Sequence, residues 1–115
     1  MKFTQDPSKL ITDYQLQPHP EGGFFAPIHT SSHQFSMGES RYDDGQGDTK
    51  RCAMTHIYYL LCEADYSGWH KLKSEELWTF YSGCALYLHI LNPTTLEKET
   101  VVLSNDPAAG KLTHL

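Results

Sequence analysis

Apolar and polar residues alternate most clearly in the middle of the chain. Residues 53–62 read AMTHIYYLLC, with Met54, His56, Tyr58, Leu60 and Cys62 on one face and Ala53, Thr55, Ile57, Tyr59 and Leu61 on the other. Period-2 spacing with both faces largely apolar predicts a central strand covered on both sides. Residues 76–81 alternate too: Glu76, Trp78 and Phe80 fall on one face, Leu77, Thr79 and Tyr81 on the other. That aromatic-rich pattern predicts another strand. Residues 84–91 place Ala85, Tyr87, His89 and Leu91 opposite Leu86, Leu88 and Ile90. The turn Asn92-Pro93-Thr94-Thr95 then leads into residues 96–103, and the two runs predict a hairpin. Residues 104–110 are polar, and 111–115 begin one more strand-like run.

The N-terminal part has a different rhythm. Asp6-Pro7 is a helix-start signal, a capping side chain followed by Pro at the first helical position. Leu10, Ile11 and Tyr14 share one face, so a short helix is expected over 7–14. It ends before Gln17-Pro18, because a residue preceding Pro avoids the helical region. The string His19-Pro20-Glu21-Gly22-Gly23 predicts a shaped turn, since Pro and Gly fix particular dihedrals. Residues 24–30 read as a strand, and Pro27 places it at a sheet edge. Residues 31–50 are polar and read as an exposed loop carrying His33 and Arg41. Short strands separated by turns predict an all-β antiparallel sandwich or barrel with a short N-terminal helix.

Length and composition narrow the function. A chain of 115 residues is read as a single domain, 1–115. The net charge of −5 and scattered basic residues argue against a nucleic-acid partner. The apolar run 57–62 is far too short to span a bilayer, and the polar opening 1–11 carries no signal-peptide pattern. Cys52, Cys62 and Cys84 are odd in number and lack CxxC spacing. They read as reduced thiols of a cytoplasmic protein, placed as small buried hydrophobes.

His70 and Glu76 are the leading chemical pair. If Glu76 points inward beside Trp78 and Phe80, it is a partly buried charge that needs a partner or a metal. An imidazole and a carboxylate held together can move a proton next to a carbonyl. The same two side chains could ligate a divalent metal with His56 or His89 as a third ligand; His56 also reads as an ordinary core histidine. Trp69, Trp78, Phe80, Tyr81 and Tyr87 read either as packed core or as a stacking wall for a small ligand. His19 and Glu21 stand either at a pocket rim or in a turn whose Glu21 bonds backbone amides.

Residues 68–83 read GWHKLKSEELWTFYSG. His70, Glu76 and Gly83 resemble the second His, the Glu and the closing Gly of the first cupin motif, while Gly68 stands where its first His would be. Together with HPEGG at 19–23, this stretch resembles a cupin subfamily of mostly unknown function, over about 10–110. There an Arg-Glu pair usually follows the double aromatic; here those positions are Ala26 and Pro27.

The resemblance implies the cupin double-stranded β-helix, or jelly roll. The subfamily is usually longer and has a second motif downstream, so an incomplete barrel is expected, closed by a homodimer through sheet extension or strand exchange. The implied activity is that of an isomerase or epimerase acting on a carbohydrate-like small molecule. His70 and Glu76 would move the proton, while His19, Glu21, Trp69, Trp78, Phe80 and Tyr87 would hold the ligand. The alternatives are a non-catalytic small-metabolite-binding module, a metal-dependent cupin with His70, Glu76 and His56 as ligands, and a remnant that only self-associates.

Overall fold

The computed structural model describes residues 5–36 and 50–106. Two compact units emerge, Gln5–Ser74 and, of the described residues, 75–106. The first opens with helix α1, Pro7–Asp13. Asp6 caps it by accepting a 2.9 Å bond from the Ser8 amide, with Pro7 in the first turn. The cap satisfies one of the donors that a helix start leaves open. The exposed Lys9–Asp13 pair adds a 2.6 Å contact one turn along. Tyr14 ends the helix and sets its ring edge-on to Tyr58 at 5.3 Å, which docks the helix end on the sheet.

That sheet has three antiparallel strands: β1 (Gln17–Pro18), β2 (Phe24–Thr30) and β5 (Thr55–Leu60), in the order β1-β2-β5. β2 was expected at an edge because of Pro27, yet it lies between two strands. The reason is the shortness of β1, which pairs only with Phe24 and Phe25. Pro27 falls beyond it, so its missing N–H takes nothing from β1. The expectation for 53–62 is corrected as well: among the described residues β5 pairs with β2 alone, and its Thr55 and His56 end is exposed. Burial is concentrated at the other end, where Phe24, Phe25 and Ala26 face Leu60, Tyr59 and Tyr58 across the ladder. The ends of the predicted loop 31–50 pair as strands, β3 (Gln34–Ser36) with β4 (Lys50–Cys52). Its middle, with Arg41, and the run expected over 111–115 lie outside the described residues.

The second unit is built on the hairpin of β6 (Leu86–Leu91) and β7 (Lys98–Leu103). The Asn92 side chain accepts the amides of Thr94 at 2.9 Å and Thr95 at 3.2 Å, which holds the turn closed. Leu103 is 1% exposed and is the fully buried hydrophobic side chain among the described residues. No strand forms over 76–81; a single bridge stands at Thr79. The alternation survives in burial, with Trp78 and Phe80 half-buried and Leu77, Thr79 and Tyr81 exposed. Glu76 is exposed rather than buried beside the aromatics, so water already solvates its charge. Nor are the cysteines all buried: Cys52 and Cys62 are half-buried and Cys84 is exposed, each a free thiol.

Leu103 carries the hairpin's packing, so Leu103→Ala should destabilise the protein by about 2–5 kcal/mol. Chemical denaturation measures it. A loss no larger than that of Leu96→Ala, whose side chain is 73% exposed, would contradict this assignment.

Candidate functional site

The best-organised polar group is the turn at residues 19–23. Its own backbone closes it twice: the Gly22 amide donates to the His19 carbonyl at 3.0 Å, and the His19 amide to the Gly23 carbonyl at 2.9 Å. Gly22 has φ +116°, a region that side-chain-bearing residues rarely adopt. Space is a second constraint, since a Cβ on Gly22 would overlap the Tyr66 carbonyl oxygen. Two bonds then fasten the turn to distant chain. The Tyr59 hydroxyl donates to the Gly22 carbonyl. The Gly68 amide donates to the Glu21 carbonyl at 2.7 Å.

His19 fills the inside of this turn. Its ring meets Phe25 edge-on at 4.9 Å and Tyr59 at 4.8 Å. Its Nδ1 lies 2.8 Å from Glu21 Oε2 and 3.0 Å from the Glu21 amide nitrogen. The His19 side chain is 18% exposed and that of Glu21 34%, so both are partly withdrawn from water. One nitrogen cannot accept from the amide and donate to the carboxylate at once. With the proton on Nε2, Nδ1 accepts the amide; with a proton on Nδ1, it donates to Glu21. The position of one proton therefore selects the partner of His19.

Glu21 also borders a cavity of about 350 Å³, lined by Pro20, Glu21, Gly22, Gly23, Ala64, Asp65 and Tyr66. Two carboxylates can accept bonds there, and Tyr66, 76% exposed, offers an aromatic face. Asp65 has a structural task as well, accepting the Cys62 amide at 3.0 Å. Burial pushes the Cys62 thiol above its usual range, and the neighbouring Asp65 raises it further. Cys62 is thus a protonated thiol at neutral pH rather than a nucleophile. The turn's link to Ala64, Asp65 and Tyr66 was not visible in the sequence, where 63–68 shows only turn chemistry.

The other expected site residues fall in both units. His70 is exposed, with Nδ1 2.8 Å from the Gly68 carbonyl; a carbonyl only accepts, so Nδ1 bears the proton. In the neutral ring Nε2 then holds the lone pair. Gly68 also hydrogen-bonds Glu21, through its amide, so the two sequence motifs meet at one residue. Trp69 shares that unit and is 66% exposed. Glu76, Trp78, Phe80 and Tyr87 belong to the other unit, where Tyr87 is 61% exposed. His56 is exposed on β5, its ring 6.4 Å from that of Tyr58, and does not sit in a core. Among the described residues no three His, Cys, Asp or Glu side chains gather as metal ligands. No helix among them is long and apolar enough to cross a membrane.

The family described as "Cupin superfamily (DUF985)" matches residues 8–115. The chain belongs to the cupin superfamily. This cupin is also similar to a solved structure, a hypothetical protein from Leishmania major, at 26% identity and a TM-score of 0.79. The match covers 96% of this chain but 64% of that one, so the cupin spans less than two-thirds of its neighbour's length. No curated protein matches. The fold is the all-β cupin jelly roll.

Gly22→Ala adds both strain and overlap, whereas Gly83→Ala adds strain alone, since nothing lies within 4 Å of a Cβ there despite φ +107°. Strain of this kind costs about 1–3 kcal/mol. Gly22→Ala should therefore lower stability more than Gly83→Ala in denaturant titrations. Equal losses would mean that the Tyr66 carbonyl does not press on Gly22.

Proposed function

We propose that this cupin binds a small carbohydrate-like molecule in the cavity beside the 19–23 turn. One observation carries the reading: Glu21 is held at 2.8 Å from His19 and also borders a cavity of about 350 Å³. That volume lies at the small end of ligand sites. Glu21 and Asp65 would accept bonds from ligand hydroxyls, and the Tyr66 ring would cover an apolar sugar face. The ligand would meet a turn that is already formed, so little ordering cost attends binding.

Turnover is the second reading, and His70 favours it. The bond to Gly68 gives His70 a defined tautomer with Nε2 as proton acceptor. An isomerase or epimerase would use that nitrogen to remove a proton next to a carbonyl. The protonated ring would then return the proton.

Saturation-transfer NMR with D-glucose, D-galactose and L-rhamnose tests binding. Transfer to at least one sugar, lost in Glu21→Gln and in Tyr66→Ala, is the expected result. No transfer, or transfer unchanged in both variants, overturns the reading. Deuterium taken from D2O into a carbonyl-adjacent position of a bound sugar, and lost in His70→Ala, would mark turnover.

A further inference from the structure

The β2–β5 ladder holds a histidine pair that neither motif predicts. Pro27 pairs with Ile57 and His29 pairs with His56, so Ile28 is an extra residue on β2. An extra residue of this kind is a β-bulge, which bends the strand and re-aims the side chains beside it. Here it brings His29 into register with His56; without it, the residue opposite His56 would be Ile28. Directly opposed residues on antiparallel strands share a face, with Cβ atoms about 4.5–5.5 Å apart. Both histidines are exposed. The next pair along is Thr30 with Thr55, which adds no charge. β1 pairs with β2 only as far as Phe25, so among the described residues β2 has no second ladder partner at His29, and an ion can reach the pair from solution.

We propose that His29 and His56 form a two-imidazole site for a divalent first-row transition ion of the zinc, copper or nickel type. Neutral imidazole is a common ligand for these ions, and water would complete the coordination. Two donors from strands distant in sequence would clamp the bulge, so binding would stabilise the folded sheet. The site is independent of the 19–23 turn.

Thermal unfolding with and without equimolar Ni2+ tests it on the full chain. The unfolding temperature should rise with Ni2+. The rise should vanish in His29→Ala and in His56→Ala and persist in His33→Ala. Cu2+ electron paramagnetic resonance gives a second readout that does not depend on stability. It should show two imidazole nitrogens in the parent protein and fewer in either variant. No rise in the parent protein, or a rise and a two-nitrogen spectrum kept in both variants, overturns the proposal.

Discussion

At Gly22 the backbone passes so close to the Tyr66 carbonyl that no Cβ fits, and the Tyr59 hydroxyl bonds the Gly22 carbonyl from β5. These two contacts fix where the turn sits relative to the sheet and to the segment leading to His70. Much else in the unit follows. Gly23 is held under Leu60 and Leu61, where a Cβ would stand 2.6 Å from the Leu60 carbonyl and 2.8 Å from a Leu61 methyl. His19 is placed between Phe25 and Tyr59, and Glu21 is turned back onto it. A side chain at Gly22 would push against backbone, which cannot rotate away as a side-chain tip can.

The arrangement also explains why His19 and Glu21 form a working unit. Exposed ion pairs contribute little, because water solvates both partners and the side chains are free to leave. Here aromatic rings restrict the imidazole, and the bond from the Gly68 amide to the Glu21 carbonyl restricts the backbone that carries Glu21. The pair is held before any ligand arrives. The Lys9–Asp13 pair on α1 is the contrast: it is just as short but mostly exposed, and it supports one helical turn.

Local chemistry was the legible part of the sequence. Asp6-Pro7 gave the helix start, Asn92-Pro93 the hairpin turn, and the Pro and Gly of 18–23 the shaped turn. The motif resemblance correctly named the superfamily. Features that depend on which distant residues meet were not legible. The strand expected over 76–81 keeps its burial alternation, but a strand also needs a partner to bond, and period-2 spacing cannot supply one. Pro27 pointed to an edge, yet the length of β1, not the proline, decided where the edge begins. The cavity needed Ala64, Asp65 and Tyr66 to come beside Gly22, and the His29–His56 pairing needed a bulge. His70 and Glu76 match the motif by spacing, but in the structure the first is tied to Gly68 and the second is an exposed residue of the other unit.

The central claim is that His19 is held by Glu21 inside a preformed turn. The most direct measurement is the 15N NMR spectrum of the His19 imidazole in the free protein and in Glu21→Gln. The structure predicts a hydrogen-bonded Nδ1 whose resonance moves when the carboxylate becomes an amide, with the ring still packed against Phe25 and Tyr59. A His19 spectrum like that of a solvent-exposed histidine, unchanged by the substitution, would contradict it.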